Sequence, residues 1–295
     1  MKDLVLDNKR SDLDCIAAPV KVCMARFESD FAAALGVSEM PMQVIVDFLL
    51  DTPGKRFRPL LVFLVASLCG EVNGQTRRVA SFVEMLHTAT LLHDDVVDGD
   101  LERRGKPSVN ARWDNLSAVL AGDYLLARAL LLLSDPQDAA ILSEMLQTSL
   151  TMSVGELVQH QRRKECLAKE PVEVPSRENI VSESLPEEAY LDIITHKTAR
   201  LIRSCCVAAA LSVGAPQKLV EGLGRFGLLL GQVFQMRDDV LDADDPQTAA
   251  CAEKLLPQYQ SLAMEALDSL SPMAQHLECL ASLRSLTTFC ATRSL

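Results

Sequence analysis

Apolar residues recur at i, i+3 and i+4 along almost the whole chain. That helical period is what most restricts the fold, because each apolar stripe must be buried against another helix. It predicts helices over 12–34, 39–50, 56–70, 74–98, 112–133, 136–164, 187–213, 216–242, 249–268 and 272–291. No alternating run suggests a strand. The stretches 79–93 and 223–236 are apolar nearly all round and are expected to be central. Leu and Ala dominate and aromatics make up only 4%, which favours helix over sheet. An all-α bundle of ten or more helices is therefore expected, and the 295 residues supply a sizeable core.

The formal net charge of −11 makes the chain a poor general binder of nucleic acid. An anionic small molecule remains open to it wherever basic side chains or metal ions are concentrated. Nine cysteines with no C-x-x-C pair read as reduced, buried thiols of a cytoplasmic protein. The opening "MKDLVLDNKRSDLD" is too charged for a signal peptide. No apolar run is read as reaching the roughly 18 residues of a membrane span. The stretch 164–188, with seven Glu and three Pro, is expected to be a solvated loop.

Two aspartate motifs end the two most apolar segments. "DDVVD" holds Asp94, Asp95 and Asp98, and "DDVLD" holds Asp238, Asp239 and Asp242. On a helix, Asp94 and Asp98 share a face, as do Asp238 and Asp242. Like charges at that spacing destabilise a helix by a few tenths of a kcal/mol per pair, and a divalent cation removes the repulsion. Mg²⁺, with its preference for carboxylates, water and substrate phosphates, suits such a set. One copy of the motif could equally be a solvated helix end; two copies behind apolar helices argue against that. A zinc site using His93 fits less well, since every other ligand is a hard oxygen.

Cations gather nearby in sequence. "GKRFRP" brings Lys55, Arg56 and Arg58 to a helix start, "ERRGKP" brings Arg103, Arg104 and Lys106, and "HKTAR" brings His196, Lys197 and Arg200. Each cluster alone is ordinary surface charge. Beside metal-binding carboxylates they suggest diphosphate recognition, the arginine fork and the lysine point charge both suiting phosphate.

The segments "GKRFRP", "HTATLLHDDVVD", "RRGKPSVN", "AGDYLLARA", "HKTARL" and "GQVFQMRDDVLD" follow one another from about 54 to 242. In this order they resemble the trans-isoprenyl diphosphate synthase family. The resemblance implies one synthase domain across 1–295, an all-α bundle around a deep central cavity, with the aspartate motifs facing each other at its mouth. It implies condensation of isopentenyl diphosphate with an allylic diphosphate, with Mg²⁺ (or Mn²⁺) held by Asp94, Asp98, Asp238 and Asp242. Lys55, Arg58, His87 and Arg104 would hold isopentenyl diphosphate, and Arg103 and Lys197 the allylic diphosphate. Asp239 is also assigned to substrate binding. Thr198 and Gln235 would place oxygen dipoles near the allylic cation. A homodimer, and a peripheral membrane contact for product release, belong to the same expectation.

The chain departs from the family after Asp242. A Gly-Lys-rich stretch is usual there, but "DADDPQTAACAEKLLPQYQ" follows directly, with Lys254 as the nearby lysine. The departure raises a second reading, a non-catalytic subunit of a heteromeric synthase. A terpene cyclase is a third reading, opposed by the second D-D-x-x-D. Thr90 and Ala89, four and five before Asp94, are small where bulky aromatics form a floor in the family it resembles; the resemblance thus suggests a tunnel open past Leu86 and Val83, hence a product longer than geranylgeranyl. The rival expectation is a farnesyl- or geranylgeranyl-length product, with a floor near Tyr124 or Leu125.

Overall fold

A computed structural model describes residues 12–37, 39–51, 54–168, 186–242 and 245–294. In chain order the elements are α1 (Lys21–Leu35), α2 (Met42–Leu50), α3 (Phe57–Cys69), α4 (Gly74–Asp98), β1 (Glu102–Arg103), β2 (Lys106–Pro107), α5 (Val109–Arg112), α6 (Asn115–Leu132) and α7 (Ala139–Ala168). They continue with α8 (Glu187–Ile194), a π-helical turn (Thr195–Ala199), α9 (Arg200–Ser212), α10 (Gln217–Asp242), α11 (Pro246–Asp268) and α12 (Leu277–Thr292). The all-α expectation holds, and the segments 79–93 and 223–236 form the inner parts of α4 and α10.

Packing follows from which helices have no polar face. Every residue of α3 is buried except Arg58 and Ser67. A buried Leu or Phe contributes about 1.5–3 kcal/mol, so α3 has nowhere stable to sit but the middle. It packs against α4, α9 and α12, while α9 also contacts α4, α7 and α10. Helix α10 lies between α9 and α11. Gly231 allows the close approach of α10 to the π-turn, since a Cβ there would meet the Ala199 Cα at 2.5 Å.

Local signals set the ends of α4. Asn73 caps its start in a reciprocal box with Thr76. Gly99, at φ 73°, stops it one residue after Asp98. Both aspartate motifs thus occupy the last turns of long helices, where the helix dipole adds its own negative end to the carboxylates.

The structure differs from the sequence reading in several places. The segment 12–34 is interrupted by a 3₁₀ turn at Ala18–Val20, where Pro19 offers no N–H. The segment 187–213 is divided by the π-turn. A small antiparallel hairpin joins Glu102–Arg103 to Lys106–Pro107, although no strand was expected. Helix α7 runs on to Ala168 and α8 begins at Glu187, both inside the stretch 164–188 read as a loop; 169–185 lie outside the described residues. By length and composition α6 is apolar enough to cross a membrane, contrary to the sequence reading. Here it packs on α4, and Tyr124 and Arg128 on it donate to the Leu35 and Ala34 carbonyls at the end of α1. The eight described cysteines are all free, five of them buried.

Candidate active site

A cavity of about 320 Å³ opens between α4, α6, α7 and the π-turn, with Arg58 of α3 on its wall. Asp94, His87, Thr90 and Ala89 of α4 line it, facing Glu156 of α7 and Lys197 and Thr198 of the π-turn. Leu86, Leu126, Met152 and Leu201 supply apolar wall, and no Phe, Tyr or Trp is among the lining residues. The π-turn inserts one residue into the helical register, a feature that clusters at functional sites.

The carboxylate side carries more negative charge than it can settle alone. Burial, then the charges of Glu156 and Asp98, raise the Asp94 carboxyl to about 6, against the opposing pull of Lys197. In the second motif, Arg293 donates to Asp238 Oδ1 at 2.6 Å and to the Phe234 carbonyl at 3.0 Å. Its guanidinium lies 4.0 Å from the centre of the Phe234 ring. Asp239, assigned to substrate binding, is half-buried; its two oxygens accept from Tyr190 at 2.6 Å and Gln235 at 2.9 Å, and Gln235 in turn accepts from Thr198 at 2.6 Å.

On the cationic side Arg58 is half-buried, while Lys55, Arg104 and Lys197 are exposed. Arg58 Nε is buried without a hydrogen-bond partner. Burial lowers the Arg58 pKa, and Arg104 lowers it further while Glu84 and Asp238 oppose. Burial, reinforced by Arg58, Arg104 and Arg103, holds His87 well below the usual histidine range, so it is neutral. Arg104 sits in the left-handed region at φ 55°, beside Gly105 at φ 73°, as the two central residues of the β1–β2 turn. An arginine held there costs about 1–3 kcal/mol. Its guanidinium rests against Gly54, where a Cβ would meet it at 2.7 Å. Lys55 lies exposed at the start of α3.

Part of the charge that looked available in sequence is engaged within the protein. Arg56 donates to Glu28 at 2.8 Å and to Glu84 at 2.7 Å, with the Arg56 and Glu84 side chains only 10% and 5% exposed. Arg103 donates to Asp95 at 2.6 Å and to Asp100 at 3.1 Å. Lys254 pairs with Glu187. His93 turns to α6, its Nε2 3.3 Å from the Val119 carbonyl oxygen and 3.4 Å from Asp123.

Among the described residues no three His, Cys, Asp or Glu side chains converge as a ready metal cage. That suits Mg²⁺, which takes one or two carboxylates and fills its octahedron with water and substrate phosphate. Paired carboxylates at two helix C-termini, one of them with a raised pKa, fit such an ion.

An all-α bundle around an apolar-walled cavity, with Arg58 and the helix-end Asp94 among its lining residues, is an isoprenoid synthase type of fold. Residues 40–250 match the family model described as Polyprenyl synthetase, and the chain belongs to that family. It is 35% identical over 228 residues to an all-trans-nonaprenyl-diphosphate synthase (geranyl-diphosphate specific) of Rhodobacter capsulatus, which covers 77% of this chain and 65% of the relative. It is 35% identical over 195 residues to an octaprenyl diphosphate synthase of Haemophilus influenzae, covering 66% of this chain and 54% of the relative. The chain thus spans about 54% and 65% of the length of these two curated relatives. Among solved structures, a polyprenyl synthase from Caulobacter crescentus complexed with calcium and isoprenyl diphosphate superposes with a TM-score of 0.78 at 25% identity. That superposition covers 96% of this chain and 98% of the other.

Proposed function

We propose that this chain is a prenyltransferase, one synthase domain across its whole length, that joins isopentenyl diphosphate head-to-tail to an allylic diphosphate and repeats the step to a long polyprenyl diphosphate. The observation that carries the reading is the half-buried Arg58, whose Nε is buried without a hydrogen-bond partner, on the wall of the cavity that Asp94 also lines. A buried guanidinium nitrogen without a hydrogen-bond partner asks for an anion, and carboxylates at a helix C-terminus ask for a cation. A diphosphate with its divalent ion answers both.

In this reading Asp94, Asp98, Asp238 and Asp242 hold Mg²⁺, or Mn²⁺ in its place. When bound, the metal supplies Lewis acidity to the leaving diphosphate. Arg58, His87, Arg104 and Lys55 seat isopentenyl diphosphate; Lys197 and Arg103 seat the allylic diphosphate, Arg103 after exchanging its aspartate partners. The allylic C–O bond breaks with its electron pair on the diphosphate. The isopentenyl double bond attacks the allylic carbon, and the resulting tertiary cation loses a proton to the departed diphosphate. Thr198 and Gln235 stabilise the allylic cation with their oxygens.

The lining residues support a long product. Ala89, Thr90 and Leu86 line the cavity together with Leu126 and Met152. Tyr124 donates to the Leu35 carbonyl and Leu125 lines a separate pocket with Phe31 and Phe48, which supports this reading over a floor at those two residues. Ala89→Phe is expected to shift products from above 20 carbons to shorter ones while the starter is still consumed. Chromatography of the labelled products checks this, and an unchanged distribution would remove α4 from length control.

The homodimer has its own support. Helix α6 exposes Leu116, Leu120 and Leu131, and α7 exposes Leu146, Leu150 and Leu157. Rows of exposed leucine at helical spacing suit burial against a second copy. Light scattering on the purified chain is expected to give twice 32.3 kDa; the monomer mass would refute the dimer. A cytoplasmic setting, with peripheral membrane contact when product leaves, completes the proposal and is consistent with the free, buried thiols.

A further inference from the structure

Four side chains form one hydrogen-bonded line from a small secondary core to the cavity. Tyr190, 1% exposed, packs with Ile194, Met236, Ala252 and Leu255. Its hydroxyl donates to Asp239 Oδ2 at 2.6 Å, and Gln235 Nε2 donates to Asp239 Oδ1 at 2.9 Å. Thr198 Oγ1 donates to Gln235 Oε1 at 2.6 Å. Thr198 is 8% exposed and lines the cavity.

The direction of every bond in the line follows from Asp239, which accepts from both of its neighbours. An ionised carboxylate only accepts. The phenol must donate to it, and Gln235 must present its NH₂ group. A reversed amide would set Oε1 against Oδ1, acceptor against acceptor. Gln235 therefore shows its oxygen to Thr198, which must donate. A threonine hydroxyl has one proton. With that proton on Gln235, the Thr198 oxygen has only lone pairs left for the cavity.

We propose that Tyr190 is a positioning residue for ionisation: by donating to Asp239 it orients Gln235 and turns the lone pairs of Thr198 towards the allylic carbon that becomes cationic. The inference rests on the prenyltransfer reading and gives a role to a residue that touches no substrate. Fixed dipoles need no reorganisation when charge develops, which is how such groups lower a barrier. Tyr190 transfers no proton. Burial first, and the Asp239 carboxylate second, hold its phenol above the usual tyrosine range.

Tyr190→Phe keeps the ring and removes the donor. Turnover is expected to fall about tenfold, less than the 10²–10³ for a group that contacts the developing charge directly. KM for both diphosphates should stay within about twofold, as should binding of an allylic thiolodiphosphate, whose carbon–sulfur bond resists ionisation. Asp239→Asn should cost more, because its single amide oxygen cannot accept from Tyr190 and Gln235 on separate oxygens as the carboxylate does. The double variant should lose no more than Asp239→Asn alone, since the groups act as a unit. Wild-type turnover in Tyr190→Phe, a matching loss of thiolodiphosphate affinity, or losses that multiply in the double variant would each overturn the proposal. If Tyr190→Phe does not fold, Asp239→Asn decides alone: reduced turnover with retained thiolodiphosphate binding supports it, and unchanged turnover refutes it. An inactive wild-type chain would instead count against the prenyltransfer reading.

Discussion

Removing divalent cations from the purified chain is expected to abolish turnover, and adding back Mg²⁺ or Mn²⁺ to restore it. The reason lies in how the carboxylates are placed. Asp94 and Asp98 share the last turn of α4, and Asp238 and Asp242 the last turn of α10. Each pair repels itself and meets the negative end of its helix dipole. Burial and Glu156 already raise the Asp94 carboxyl to about 6. A diphosphate alone would add further negative charge to that face. The cations that line the cavity, Arg58 and Lys197, cannot neutralise both substrates and four carboxylates. The check is a titration of activity against chelator and then against metal. Full activity after exhaustive chelation would rule out metal-assisted ionisation here.

Asp94→Ala and Asp238→Ala are each expected to lower turnover about 10²–10³-fold, the usual loss when a group stabilising the transition state is removed. Neither change should unfold the protein. Asp94 is half-buried on the cavity wall, and its loss relieves repulsion with Glu156 and Asp98. Asp238 differs because it carries Arg293, whose side chain is 11% exposed. Asp238→Ala leaves that guanidinium with the Phe234 carbonyl and the Phe234 ring. A modest drop in melting temperature is therefore expected for Asp238→Ala and none for Asp94→Ala. Steady-state kinetics at saturating Mg²⁺ with thermal melts checks both. Near wild-type turnover in the two variants would remove the aspartates from metal binding.

What the sequence revealed follows its periodicity. Helices are legible because each buries a stripe, and the stripe is written at i, i+3 and i+4. The centrality of α4 and α10 follows in the same way. The β1–β2 hairpin escaped because two residues per strand make no alternation; the available signal was the Arg104–Gly105 pair, which suits a turn with two positive φ values. The π-turn escaped because one inserted residue barely disturbs an apolar stripe.

The site was legible where its residues sit together in the chain. Asp94, Thr90 and His87 share one helix, and their common face could be read directly. Partners far apart in sequence could not. Arg56 looked like part of an anion-binding cluster, yet it is 28 residues from both Glu28 and Glu84, its actual partners. Arg293 meets Asp238 across 55 residues and Tyr190 meets Asp239 across 49. Periodicity shows which face a side chain occupies and says nothing of what that face will meet. The short link after α10 is the reverse case. The sequence departs there from the family's usual lysine-rich stretch, with Lys254 as the nearby lysine, and the structure shows Lys254 engaged with Glu187.

The central claim is that this chain by itself grows a prenyl chain in the cavity beside Asp94. Incubating the purified chain, without any partner protein, with Mg²⁺, labelled isopentenyl diphosphate and an allylic diphosphate starter tests it most directly. The account predicts labelled products of more than 20 carbons, one diphosphate released for each five-carbon unit added. No labelled product from the chain alone, with activity appearing only when a second subunit is supplied, would contradict it.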